Sequence, residues 1–214
     1  MQDIVVIGAG GHAKVVARSL RECGGWQVAG FIDDQNPARA GERFGGATVL
    51  GGRAALAALR EQGVAAAVVA FGHNRARLDF DAWLAGGGWQ RPAIVDPSAR
   101  VGDDVVLGPG CYVAAGAIVE PGVALGRQVI VNSAAVLCHD GIVDDGAHLC
   151  PRSCFGGHVR IGPRSWIGIG ATVRDRVRIG ADVVVGAGAL VLRDVPDGVV
   201  AYGHPAQVIA KAQT

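Results

Sequence analysis

The chain has 214 residues, room for one large domain or two small ones with a buried core. Lys plus Arg number 20 against 19 Asp plus Glu, a formal charge of +1, which argues against a general nucleic-acid surface or a polybasic membrane anchor. Half of the residues are hydrophobic, yet no apolar run is long enough to span a bilayer, and 34 glycines point to many tight backbone corners.

The first residues, Met1-Gln2-Asp3-Ile4, lack the basic region of a signal peptide. The five cysteines are odd in number and irregularly spaced, so a reduced, cytoplasmic setting is expected. Ile4 to Ile7 reads as a buried parallel strand. It runs into Gly8-Ala9-Gly10-Gly11-His12 and then a helix from Ala13 to about Cys23. Val28 to Ile32 is a second strand ending at Asp33-Asp34. Arg53 to Gln62 reads as helix, and Val64 to Phe71 as a strand followed by Gly72-His73-Asn74. The pattern predicts a small Rossmann-like βαβ domain over 1–92.

Such a glycine loop, between strand and helix, offers backbone N–H groups and a helix dipole to a phosphate. Gly8-x-Gly10-x-x-Ala13 approaches the dinucleotide fingerprint, so a nicotinamide-dependent enzyme is the competing reading. The domain has only about half the length of a two-lobed dinucleotide fold. A sugar-linked nucleoside diphosphate suits that space, with Gly10, Gly11, His12 and Gly72 around it. Asp33 and Asp34 could take the base or ribose, and Asn74 and Arg77 could complete the pocket. The alternative is that Gly10 and Gly11 serve only tight strand–helix packing.

Over 93–214 the period changes. Every sixth residue from Val101 to Val191 is large and apolar, sixteen in succession, and the next position is Gly in eight of them. A sustained six-residue repeat predicts a parallel β-helix. Three hexapeptides make one triangular coil, so residues 18 apart stack at about 4.8 Å. His139 lies two residues after the inward Leu137, at a corner, and should point outward with Asp140 beside it. His148 falls nine residues later and is expected at another corner. A neutral imidazole can take a proton from an amine or hydroxyl attacking a thioester, and a carboxylate can orient the ring. Gly157, one coil beyond His139, offers an unobstructed N–H to the oxyanion. The Cys/His cluster of Cys138, His139, His148, Cys150, Cys154 and His158 contains no pair 18 apart, so no metal site is expected.

Asn132, His139-Asp140, His148, Phe155-Gly156-Gly157 and Ile161-Gly162, with the N-terminal glycine loop and Gly72-His73-Asn74, resemble the bacterial sugar N- and O-acetyltransferases. Gly203-His204-Pro205-Ala206 matches the family's Gly-x-Pro-Ala. The resemblance implies a left-handed β-helix, acetyl-CoA as co-substrate, a nucleotide-linked amino sugar (a 4-amino-4,6-dideoxy sugar) as acceptor, and a homotrimer. It makes His139 the general base, puts His148 at the acyl site and Gly157 at the thioester, and matches Ile169 and Ala187 to backbone contacts with pantetheine. Arg174, Arg193 and Lys211 could meet the CoA phosphates. O-acetylation of a sialic-acid-like sugar stays open, as does a non-catalytic sugar-nucleotide-binding β-helix.

Overall fold

The computed structural model describes residues 1–212, which separate into two units, Met1–Pro97 and Ser98 onward. In the first, β1 (Gln2–Ile7), α1 (Gly11–Glu22), β2 (Trp26–Ile32), β3 (Arg43–Phe44), β4 (Ala47–Gly51), α2 (Ala55–Glu61), β5 (Ala66–Val69) and α3 (Asn74–Gly86) follow in order. The sheet order is β3-β4-β2-β1-β5, parallel except for the β3–β4 hairpin. Ile4 to Ile7 are at most 1% exposed, as a central strand covered on both faces requires. Leu56 and Leu59 of α2 join Phe80 and Leu84 of α3 over Val5, Ile7 and Val69 on one side.

The sequence pattern predicts no helix after Gly72, yet α3 runs for 13 residues. Its N-cap is His73, whose Nδ1 accepts the Ala76 N–H at 3.2 Å. Histidine is an uncommon cap beside Ser, Asp or Asn, so the usual start signal is absent.

The second unit is a parallel β-helix of two-residue strands. Pairings such as Ile118↔Val136, Val119↔Leu137 and Leu137↔Phe155 join residues 18 apart and build three flat faces. Of the sixteen periodic positions, those from Val113 to Val191 are at most 3% exposed, and Val101 and Leu107 in the first coil are partly covered. Each buried Val, Leu or Ile contributes roughly 1.5–3 kcal/mol relative to exposure. Val199–Gly203 and Ala206–Lys211 form an antiparallel hairpin that ends the third face.

The turn between strands takes a left-handed residue at every sixth position from Gly110 to Gly188. Six of these are glycine, while Gln128, Ala134, Asp140, Arg152, His158, Arg164, Arg176 and Asp182 adopt φ between 53° and 60°. Asp tolerates that region better than most side chains. The turn thereby fixes where each preceding residue projects, and His139 is one of these.

Candidate active site and nucleotide cleft

His139 stands at the corner after the strand Val136–Leu137. Its Nδ1 lies 2.8 Å from Oδ2 of Asp140. The hydrogen bond from His139 holds the Asp140 carboxyl below its usual range against the opposing effect of burial, and the His158 and His139 rings add to the lowering. An ionised carboxylate only accepts, so Nδ1–H of His139 is the donor and the lone pair of the neutral ring sits on Nε2. The backbone N–H of His139 donates to Oε2 of Glu120 at 3.1 Å, one coil earlier, which pins the corner from below.

Gly157 lies directly against this ring. A Cβ built there would come within 2.7 Å of both Cε1 and Nε2 of His139. The glycine is therefore a steric requirement of the histidine as well as a bare backbone. Among the described residues its N–H donates to no protein acceptor, while its carbonyl accepts from Arg176 at 2.9 Å.

The structure adds a residue whose part in this corner the sequence reading missed. His158, 18 residues beyond Asp140, has its Nε2 3.7 Å from the same Oδ2, and its ring stands 5.1 Å from that of His139 at 87°. No histidine or cysteine of the cluster has another 18 residues away; the stacked pair is instead a carboxylate and a histidine. His139, Asp140 and His158 have ligand-type atoms within 4.8 Å of one another, but all three are exposed, and two of the three contacts are accounted for by hydrogen bonding and charge. The Cys138 thiol, next to His139, is pushed up by burial and further by the Glu120 and Cys154 side chains, which makes it a poor nucleophile.

His148 is not at a corner. It occupies the strand His148–Leu149 between Ile130 and Trp166 on the third face and is 8% exposed. Nine residues are one and a half hexapeptides, so a corner and a strand alternate at that spacing. The Asn132 amide lies 3.0 Å from His148 Nε2. These two residues meet each other on a different face from the strand that carries His139. Ile169 and Ala187 are exposed corner residues in one column, linked by Gly188 N–H to Ile169 O at 2.8 Å. Neither spends its own N–H on an acceptor among the described residues. Arg174, Arg193 and Lys211 are exposed.

The N-terminal unit carries a cleft of about 840 Å³ at the carboxyl ends of β1, β2 and β5. Gly10, Asp33, Asp34 and Gly72 line it; Gly11, His12, Asn74 and Arg77 do not. A Cβ at Gly10 or Gly11 would meet nothing within 4 Å, so tight packing is not what these glycines serve. Gly8 does serve packing: with φ 117°, its Cβ would lie 2.9 Å from the Ala70 carbonyl oxygen. Arg77 is fully buried and donates to the Phe71 and Gly72 carbonyls and to Asn74 Oδ1 at 3.4, 3.2 and 3.1 Å. Burial, then the Arg77 charge, push the His12 imidazole down to about 4. Arg77 thus braces the loop from inside, and neither it nor His12 lines the cleft. Asp33 accepts from the Asn36 N–H and from Arg39, and Arg39 also donates to the Ala9 carbonyl at 3.0 Å. Burial raises the Asp34 carboxyl, but backbone and side-chain hydrogen bonds from Arg53 hold it below its usual range. Arg39 and Arg53, neither of which the sequence pattern places in the pocket, both line the cleft.

A Rossmann-like sheet joined to a hexapeptide β-helix, with a carboxylate-oriented histidine at a coil corner, defines the hexapeptide acyltransferase class. Known proteins narrow it. The PglD N-terminal domain model matches residues 3–83, and the bacterial transferase hexapeptide (six repeats) model matches residues 158–193. A histidine variant of perosamine N-acetyltransferase from Caulobacter crescentus, crystallised with CoA and GDP-perosamine, is 41% identical. The match covers 99% of this chain and 98% of that chain, with a TM-score of 0.93. The acetyltransferase domain of PglB from Neisseria gonorrhoeae is 35% identical over 98% of this chain and 100% of that one, with a TM-score of 0.92. A galactoside O-acetyltransferase from Lactococcus lactis is 52% identical over 44 residues, 21% of its length. The chain belongs to the bacterial sugar N-acetyltransferases that join a PglD-type N-terminal domain to a left-handed hexapeptide β-helix.

Proposed function

We propose that this protein transfers the acetyl group of acetyl-CoA to the amino group of a nucleotide-linked 4-amino-4,6-dideoxy sugar. The observation that carries the proposal is the His139 corner: Asp140 at 2.8 Å on Nδ1, and the bare Gly157 backbone against Nε2. The neutral sugar amine attacks the thioester carbonyl carbon, and Nε2 of His139 takes the proton the nitrogen sheds. Asp140 stabilises the imidazolium as it forms. The unused N–H of Gly157 donates to the thioester oxygen as it gains charge. Collapse of the tetrahedral intermediate expels the CoA thiolate, which leaves with a proton as the thiol.

The pantetheine arm runs along the column of Ile169 and Ala187, whose N–H groups have no acceptor among the described residues, with Asn132 and His148 at the acyl end. Relatives at 41% and 36% identity carry CoA with GDP-perosamine, and acetyl coenzyme A, respectively. The glycine loop of the N-terminal cleft takes the diphosphate at the start of α1. The active assembly is a homotrimer; Ile169, 55% exposed, and Val106, 62% exposed, lie on outer surfaces of the prism that a neighbouring chain would cover. Five free cysteines suit a reduced cytoplasm, and no helix among the described residues is long and apolar enough to cross a membrane.

The test is thiol release from acetyl-CoA, read with a thiol reagent, across a panel of amino-sugar nucleotides. Release that depends on a 4-amino sugar nucleotide supports the assignment. Release with no member of the panel, from folded protein, refutes it.

A further inference from the structure

Asp140 and His158 stack one coil apart at the corner that carries His139. Oδ2 of Asp140 lies 2.8 Å from Nδ1 of His139 and 3.7 Å from Nε2 of His158, and the two rings stand 5.1 Å apart and nearly perpendicular. One ligand-type atom from each of the three lies within 4.8 Å of the other two. The side chains are 54%, 52% and 43% exposed, so packing locks none of them. His158 also sits at a left-handed position, φ 58°, where six equivalent turns take glycine. Among the described residues its one polar side-chain contact is the 3.7 Å approach to Asp140, which is too long for a hydrogen bond.

These separations are close to those of a metal centre. Ligands about 2.0–2.1 Å from zinc in a tetrahedron stand about 3.3 Å from one another. The shorter contact would open and the longer one close by roughly half an ångström each to reach that spacing. Exposed side chains make such a movement without disturbing the core. Two imidazoles and a carboxylate suit zinc and its first-row neighbours, whereas Mg²⁺ and Ca²⁺ call for oxygen ligands. Water completes the fourth position. Arg176, next in the column beyond His158, brings a like charge, but it is 74% exposed and lies 3.8 Å from Asp175, so solvent and that carboxylate screen it.

We propose that His139, Asp140 and His158 form an inhibitory site for a divalent transition-metal ion, Zn²⁺ above all. The working tautomer of His139 carries its proton on Nδ1 and its lone pair on Nε2. An ion held beside Asp140 needs the lone pair on Nδ1 instead. The neutral ring keeps its single proton, which then sits on Nε2 against Gly157. The nitrogen that takes the amine proton has become a donor, and Asp140, now a ligand, no longer stabilises an imidazolium. The ion does this without entering the space at Nε2 where amine and thioester meet. The inhibition rests on the role of His139 proposed above; the binding of the ion does not.

The full, reduced chain is titrated with Co²⁺, whose visible absorption reports tetrahedral coordination, and Zn²⁺ is then added in competition. His158→Asn should weaken both ions at least ~10-fold, no less than the loss of an outer-shell partner costs. Asn tolerates the left-handed turn, so the variant should fold. Equal affinity in wild type and variant puts the ion elsewhere and overturns the site. Acetyl transfer is followed as acetylated sugar by chromatography, because the released thiol itself binds zinc. Zn²⁺ should lower kcat and leave KM for both substrates unchanged, chelation should restore the rate, and Mg²⁺ should have no effect. In His158→Asn, referred to its own metal-free rate, half-inhibition should need at least ~10-fold more Zn²⁺. Inhibition relieved by raising either substrate overturns the tautomer account, and bound Zn²⁺ with undiminished kcat overturns the inhibitory role. Absence of turnover with every acceptor refutes the acetyl-transfer reading instead, and the cobalt titration still decides the site.

Discussion

One carboxylate oxygen, Oδ2 of Asp140, faces two imidazoles at 2.8 and 3.7 Å. The shorter contact fixes the tautomer of His139, so replacing either partner should damage chemistry more than folding. His139→Asn is expected to lower turnover by at least ~10²-fold, the usual contribution of a positioned base. Its far-ultraviolet circular dichroism should be unchanged, because the ring projects from a turn and is 54% exposed. Steady-state kinetics on a folded variant with near-normal turnover would remove the base. The pair was legible in sequence because the six-residue register puts His139 at a corner; His158 was not, because its partner is acidic. The same limit applies in the first unit, where His12 and Arg77 belong to cleft-like motifs but are drawn inside by packing that no local pattern announces. His12 carries its own prediction. Its imidazole titrates near 6.5 when unfolded and is pushed down to about 4 by burial and the Arg77 charge. Between these values the unfolded chain binds the proton and the folded one does not, so stability falls as pH drops from 6.5 towards 4, by roughly 3 kcal/mol in full. Urea midpoints at pH 7 and pH 4.5 should therefore differ more in the wild type than in His12→Gln. Equal pH dependence in the two would discard the buried, neutral histidine.

At the scale of the element, the β-helix makes neighbouring coils so close that a single methyl group distinguishes packing from catalysis. Gly162→Ala sets a Cβ 2.5 Å from the Gly180 carbonyl carbon and 2.6 Å from the Ala181 nitrogen, both backbone atoms that cannot step aside. It should cost about 1–3 kcal/mol in unfolding free energy, with the catalytic corner otherwise intact. Gly157→Ala meets a side chain instead, the His139 ring at 2.7 Å. Rotating that ring breaks the Nδ1 hydrogen bond to Asp140, so thermal stability should change little while turnover falls at least ~10-fold. Thermal melts and initial rates on both variants check this crossing of effects; a pair that changes in the same way would deny Gly157 its contact with the base. These coils were readable because core filling repeats every six residues, and the inward positions need only be large and apolar. Helix α3 was not. Asn74-Arg75-Ala76-Arg77-Leu78-Asp79-Phe80-Asp81 mixes charges into the stripe, and both Arg77 and Asp81 are buried. A helix that buries ions against its own loops and neighbours shows no clean apolar face.

At the scale of the whole molecule, the expected homotrimer predicts a molar mass by light scattering of three times the 21.8 kDa chain. A fully active monomer would exclude sites shared between chains. The nature of the acceptor is the remaining question, and the corner itself bears on it. The hydroxyl and amine readings use the same base, but they ask different things of it. A sugar hydroxyl is a poor nucleophile until its proton is taken, so its attack depends on His139 in full. A neutral amine attacks unaided, and His139 need only collect the proton afterwards. The Cys138 thiol beside His139 is held up by burial and carboxylate charge, which disfavours an acetylated enzyme and favours direct attack from a ternary complex. Two expectations follow. Matched nucleotide sugars bearing an amino or a hydroxyl group at the same carbon should differ in kcat/KM, with the amine faster. His139→Asn should also leave more residual activity on the amine as pH rises, because deprotonated amine accumulates without help from the enzyme. Faster turnover of the hydroxyl compound would overturn N-acetylation. Acetyl label retained on the protein without acceptor would overturn direct attack, since no step in that mechanism passes the acetyl group through a side chain.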